Sequence, residues 1–288
     1  MQQELGVSER RACKVIGQPR SSQRYVGCKA SRDGVLVGRM ITLSRENPRY
    51  GYRRIWALLR GEGWQINKKR VHRLWKEQGL RVTAKQRKRR RRLLGHSENS
   101  CTRKRAEYKD HVWSYDDFVM DRTEDGRTLK MMPIVDEYTR ECLCIKVERS
   151  ITAKEEVVET LAALFAHRGE PAFIRSDNGP EFIAKAVKRW LEVSGVKTLL
   201  YIEPGSPWEN AYSETFNSRF GDELLKREVF TSLLEAKVLV EGYRNHYNCE
   251  RPHSALGYRT PAEFAVLCEA DGADQELMKE LESVIALS

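Results

Sequence analysis

Between residues 85 and 92 the chain reads KQRKRRRR, seven cations in eight residues. No core can absorb that run, because each buried charge would lose its water without gaining a partner. The run is therefore expected to be extended when free, and to divide the chain into two pieces that fold around separate cores. The two pieces differ in charge. Residues 1–110 hold 30 Lys/Arg against 9 Asp/Glu, a net of +21, and the remainder holds 21 against 32, a net of −11. A basic piece joined to an acidic one suits a nucleic-acid grip tethered to a metal-dependent enzyme. A basic surface that serves only solubility, or a ribosomal one, leaves the acidic remainder unexplained.

Other features narrow the field. At 288 residues the chain is long enough for one large core and a smaller second one. No apolar stretch approaches the roughly 18 residues of a membrane helix, and the N-terminus lacks a signal-peptide core. A cytoplasmic protein without a membrane partner is expected. The seven cysteines (13, 28, 101, 142, 144, 249, 268) are odd in number and scattered, so they read as idle thiols in a reducing compartment. The six histidines show no ligand spacing.

The basic piece is helical. Residues 1–30 hold one short helix ending near Gly17-Gln18-Pro19. Val35, Leu36, Met40 and Leu43 give a helix over 34–46, stopped at Asn47-Pro48. Tyr52, Ile55, Trp56 and Leu59 give a second, closed by Gly61 and Gly63. Asn67 is the expected N-cap of a third, with Val71, Leu74 and Trp75 inward and Lys68, Lys69, Arg70, Arg73 and Lys76 on the polar face. Two helices across a short glycine turn, the second basic, fit a helix-turn-helix; a small bundle with a solvated basic face has the same pattern.

The acidic piece alternates between periods. Strands are expected near 111–119, 129–136, 140–147, 171–176 and 197–202, with a turn at 121–126 joining the first two. Helices are expected near 153–167, 181–193, 208–226 and 231–247. The layout is α/β with a mixed five-stranded sheet, preceded by the small all-α domain. Three acids fall at points that such a layout can bring together. Asp116 or Asp117 follows the apolar run at Val112–Tyr115, Asp177 follows Ala172-Phe173-Ile174, and Glu214 lies in the 208–226 helix. Two-metal phosphoryl transfer needs carboxylates, because Mg²⁺ and Mn²⁺ are hard ions that prefer oxygen. Asp136 also ends an apolar run, but fits better as the cap of a turn. Asn210 lies one turn before Glu214, and Arg219 is a candidate phosphate contact.

Several linked blocks resemble the DDE transposases of the bacterial IS-three insertion-sequence family, in particular their catalytic second-frame protein. They are NPRYGYRRIWALLRGEGWQINKKRVHRLWKEQGL, VWSYDDFVMDRTEDGR, IVDEYTRECL, SDNGPEF, IEPGSPWENAYSETFNSR and YNCERPHSALGYRTPAEF, together spanning roughly 33–265. The resemblance implies a ribonuclease-H-like integrase core, two Mg²⁺ or Mn²⁺ ions, and transposon-end and target DNA as substrates. It also implies a homo-multimer on DNA in the bacterial nucleoid, and a frameshift fusion with an upstream-frame protein. The expected organisation is a basic segment at 1–30, a helix-turn-helix domain at 31–84, a basic linker at 85–108, a catalytic domain at 109–270 and an acidic tail at 271–288.

Two departures mark this chain. Both Asp116 and Asp117 stand between Tyr115 and Phe118, where the family has one aspartate; counting from Trp113 selects Asp116, and counting back from Phe118 selects Asp117. The 36 residues at 178–213 exceed the family spacing by one, with Leu199-Leu200 the expected surplus. An extra residue flips side chains across a strand unless a bulge absorbs it. The metal-holding set expected is Asp116, Asp177 and Glu214, with Asp117 the alternative at the first place. A DNA-binding repressor with an inactive integrase-like domain is the rival reading.

DNA contacts are expected from Lys68, Lys69, Arg70, Arg73, Arg219 and the run Arg87, Lys88, Arg89, Arg90, Arg91 and Arg92. Each phosphate contact changes the log–log salt slope of duplex binding by about −0.9. Replacing Arg89, Arg90, Arg91 and Arg92 by Gln should flatten the slope by up to about 3.6, read by fluorescence anisotropy across a salt series. An unchanged slope would make the run an inert linker.

Overall fold

The computed structural model describes residues 6–24, 29–82, 105–115, 118–151, 156–176, 190–191, 198–201 and 211–270. The chain divides into two compact units, residues 1–84 and 85–288.

The first unit is helical: α1 (Glu9–Ile16), the four-residue α2 (Arg20–Gln23), α3 (Lys29–Glu46), α4 (Tyr52–Gly61) and α5 (Lys68–Glu77). Gly17 ends α1 at φ 71°, a left-handed cap that glycine takes without a Cβ penalty. Leu36, Met40 and Leu43 of α3 meet Ile55 and Leu59 of α4 and Val71, Leu74 and Trp75 of α5 in one core. Asn67 caps α5 by accepting the Lys69 N–H at 2.9 Å.

The second unit is built on one sheet. Its strands are β1 (Val112–Tyr115), β2 (Val119–Arg122), β3 (Thr128–Asp136), β4 (Cys142–Glu148), β5 (Phe173–Ser176) and β6 (Thr198–Tyr201). β1 pairs antiparallel with β3 and parallel with β5, and β5 pairs parallel with β6. β2 and β4 both pair antiparallel with β3. Because β4 runs along Lys130–Val135, β1 and β2 must share the other edge of β3. The six segments therefore fill five strand positions, in the order β4-β3-(β1, β2)-β5-β6. The first strand reaches Arg122, beyond the expected turn at 121; the turn itself occupies Thr123–Arg127, where Thr123 N–H donates to the Arg127 carbonyl at 2.9 Å.

Helices cover both faces. On one, Trp113, Tyr115, Met132, Ile134 and Ile174 pack with Val157 and Leu161 at the start of α6 (Val158–Arg168). On the other, Leu129, Met131, Val135 and Val147 pack under Phe216 and Phe220 of α7 (Ala211–Phe220) and under Val240, Tyr243 and Tyr247 of α8 (Leu233–Cys249). A five-residue π-helical turn, Gly221–Leu225, continues α7. Burial pushes the Cys142 thiol well above its ordinary pKa and Cys144 up to about 11, so both stay protonated and unreactive near neutrality.

Asn248 closes the edge of β4 as a strand would. Its Oδ1 accepts the Cys142 N–H and its Nδ2 donates to the Cys142 carbonyl, both at 2.9 Å and both buried. Asn248→Ala would orphan the buried Cys142 N–H, at roughly 1–3 kcal/mol, and leave its carbonyl only a long bond of 3.5 Å from Arg244 Nη1. Chemical denaturation should show a midpoint loss of that order with an unchanged m-value; a loss near zero would mean water replaces the amide.

Candidate active site and DNA-binding face

β1 and β5 lie side by side and run in the same direction, with Trp113 opposite Ile174 and Ser114 opposite Arg175. The chain leaves their adjoining ends towards residues 116 and 177. Asp116, Asp117 and Asp177 themselves lie outside the described residues, as do Glu181, Glu209 and Asn210. Glu214, the remaining acid, lies exposed on α7. It makes no ion pair with a described residue. Among the described residues no group of three metal-ligating side chains is gathered.

The residues just before the acids are tightly held. Ser213 Oγ donates to Ser114 Oγ at 2.9 Å, a contact buried between α7 and β1. Arg175 Nε donates to Glu137 Oε1 at 2.8 Å, and both side chains are almost fully buried. So Ser114 stands two residues before Asp116, Arg175 two before Asp177, and Ser213 one before Glu214. These anchors were not recognised in the sequence. The only available signal was a small or polar residue at a position where a buried strand or helix face calls for an apolar one.

The strand register locates the surplus residue. Tyr115 pairs with Ile134, and farther along that edge Val119 pairs with Met131. The register along that edge of β3 thus shifts by one residue between Tyr115 and Val119. Side-chain faces agree: Tyr115 and Phe118 pack on the α6 side, whereas Val119 packs on the α7 side with Met131.

Asp136 is the cap it was expected to be. It is fully buried, and accepts from Thr139 N–H at 3.0 Å and Thr139 Oγ1 at 2.6 Å. Burial raises its pKa, against those hydrogen bonds. Committed to the β3–β4 turn, it is a poor fourth ligand. His253 supports C-terminal packing, its ring edge-on to Tyr247 at 5.3 Å.

On the first unit, the polar face of α5 is partly engaged. Lys68 Nζ lies over the Trp56 ring at 4.6 Å, and Lys69 is exposed. Arg70 and Arg73 both bond to Asp33 of α3, and Arg73 also to Glu77. Arg219 is half-buried on α7. Residues 87–92 lie outside the described set.

Comparison with known proteins accounts for this combination. Residues 107–207 and 195–261 each match an integrase core domain, and residues 32–90 match an HTH-like domain. The 31.7 kDa protein of insertion element IS407 from Burkholderia multivorans is 38% identical over 282 residues, covering 96% of this chain and 99% of that one. The 39.2 kDa protein of insertion element IS476 from Xanthomonas euvesicatoria is 37% identical over 265 residues, covering 92% and 74%. Transposase InsD of insertion element IS2 from Escherichia coli is 28% identical over 242 residues, covering 76% and 74%. Among solved structures, the HTLV-2 integrase catalytic core in complex with magnesium aligns with a TM-score of 0.44 at 16% identity, covering 56% of this chain and 99% of that one. The integrase-core match and the β4-β3-β1-β5-β6 order together make the second unit a ribonuclease-H-like α/β core. With an HTH-like domain before that core and insertion-element proteins as relatives along nearly its whole length, the chain belongs to the DDE transposases of the IS-three insertion-sequence family.

Proposed function

We propose that this transposase cleaves the ends of its element and joins them to target DNA by two-metal phosphoryl transfer, with Asp116, Asp177 and Glu214 as the ion-holding carboxylates. The observation that carries the reading is the Ser213–Ser114 contact. It fastens the helix of Glu214 to the strand that leads into Asp116, while the strand leading into Asp177 is that strand's parallel neighbour. Counted forward from Ser114, strand alternation assigns residue 116 to the face that α7 covers; counted back from Val119, it assigns 117. We take the forward count, because Ser114 is the residue α7 touches.

Three carboxylates fit Mg²⁺ or Mn²⁺, and the exposed, unpaired Glu214 is free to serve one. Such ions, when bound, lower the pKa of a water or hydroxyl nucleophile and stabilise the leaving oxygen. The protein's own part is positioning: Arg175 and the two serines hold the backbone beside each acid in place before DNA arrives. Arg219, half-buried on the same helix, is a further candidate phosphate contact. We assign residues 31–84 and the basic linker 85–108 to gripping DNA, residues 109–270 to catalysis and the tail 271–288 to no defined task. The enzyme works as a multimer on DNA in the nucleoid, and an upstream-frame protein joined by frameshifting is a further candidate partner.

Asp177→Asn and Glu214→Gln keep size and remove charge, so cleavage of a duplex bearing the element's terminal repeats should vanish while binding survives. Asp116→Asn should behave likewise and Asp117→Asn should retain most activity. Wild-type-like cleavage by the Asp177 or Glu214 variant at saturating Mg²⁺ would sink the assignment. Equal loss from both aspartates of the pair would mean that both serve the ions.

Ser213→Ile offers a separate check. The larger side chain must push α7 away from Ser114, at a stability cost of about 1–3 kcal/mol. A displacement of this kind can cost about 100-fold in rate. Cleavage should therefore fall steeply in a protein still folded by circular dichroism and still able to bind ends. Full activity would show that the contact does not position Glu214.

A further inference from the structure

We propose that Asp33 is a specificity-determining residue, holding Arg70 and Arg73 as a stand-in for a DNA phosphate. The two guanidiniums then reach a duplex only where a backbone phosphate displaces the carboxylate. The inference rests on the reading that α5 lies against DNA. Asp33 Oδ1 accepts Arg70 Nε at 2.9 Å, and Oδ2 accepts Arg73 Nη2 at 3.1 Å. Both carboxylate oxygens are thus used, each by a different arginine of the helix that would face DNA. Asp33 is the more sheltered partner, with its side chain 13% exposed against 39% and 51% for the arginines. The cations face outward and the anion sits behind them, so a phosphate can approach without first moving the carboxylate.

The neighbouring cations differ. Lys69 and Lys76 are exposed on the same helix; Arg73 is also paired with Glu77 there, and the first unit's other ion pairs among the described residues lie elsewhere, joining Arg39 to Glu62 and Glu46 and Glu9 to Arg20 and Arg24. Lys69 and Lys76 can thus meet any phosphate, whereas Arg70 and Arg73 must break an existing bond to do so. Guanidinium binds carboxylate and phosphate through the same fork of N–H donors, so the exchange conserves hydrogen bonds only where the phosphate sits at the right register. A duplex that cannot place a phosphate there is bound without the two arginines. Asp33 thereby lowers affinity for random DNA more than for the element's own ends.

The test uses the full-length protein, a random-sequence duplex and a duplex carrying the terminal repeat that flanks its own reading frame. Asp33→Asn should bind the random duplex about 5–10-fold more tightly, with a log–log salt slope steeper by about 0.9 for the freed Arg70 and by up to about 1.8 where Arg73 also leaves Glu77. The end duplex should gain less, so discrimination falls. In an Arg70→Gln/Arg73→Gln background the Asp33 effect should disappear. Unchanged or weaker random binding overturns the proposal, as does equal tightening in the double-variant background, which would be a bulk charge effect. Should Asp33→Asn not fold, the arginine Nε–H resonances of the wild-type protein decide. Those of Arg70 and Arg73 should keep their free positions on random duplex and move on the end duplex; movement on both or on neither overturns it. Lys69→Ala and Lys76→Ala separate the underlying reading. If neither weakens duplex binding, α5 does not face DNA and both readings fall. If they weaken it and Asp33→Asn does not tighten it, only the role of Asp33 falls.

Discussion

The second unit depends on the double pairing of β1. Only four residues long and buried throughout, it joins an antiparallel meander on one side to a parallel pair on the other. A strand in that position has no free edge, and both of its faces are covered, by α6 and by α7. Trp113 and Tyr115 supply apolar bulk to the α6 face. Ser114 is the small residue that lets α7 come close on the other, and its hydroxyl turns that closeness into a hydrogen bond. A larger residue at 114 or 213 would hold the helix away. The acid on α7 therefore owes its place to two serines as much as to its own helix.

Charge is used differently in the two units. In the catalytic unit Arg175–Glu137 and Arg251–Glu223 are nearly completely buried. Pairs of that kind return little net stability against their desolvation, but breaking one strands a buried charge at roughly 3–5 kcal/mol. They act as geometric locks: Arg175 ties β5 to the β3–β4 turn, and Arg251 ties the end of α8 to the π-helical turn after α7. In the first unit the pairs lie at the surface, where solvent screening leaves each contributing little. Buried pairs fix the frame of the second unit, whereas the pairs of the first unit stay within reach of solvent ions.

Much of this was legible in the sequence because it is local. The helix limits follow apolar period, Asn67 and Gly17 cap where their chemistry says they should, and Asp136 bonds to Thr139 three residues on. The strand runs were readable for the same reason. What could not be read joins distant positions: Asp33 with Arg70 across 37 residues, Ser114 with Ser213 across 99, Cys142 with Asn248 across 106. Nothing in a residue's neighbours announces such a partner. The turn after the first strand was placed two residues early for another reason. Asp121 reads as a turn former, yet in β2 it pairs with Leu129 and is half-buried on the Val119 side; ladder bonds there outweigh its local preference.

The doubled aspartate shows how a sheet tolerates an added residue. Pairing on either side of 116–118 is intact: β1 keeps its register with β3 and with β5, and β2 keeps its own with β3. Had the shift not been absorbed there, every side chain from Phe118 to Arg122 would have changed face, exposing Val119 and burying Met120. Val119 instead packs beside Met131, while Met120 is 56% exposed. The register shift between Tyr115 and Val119 thus leaves the apolar side chains of both stretches facing the cores they fill.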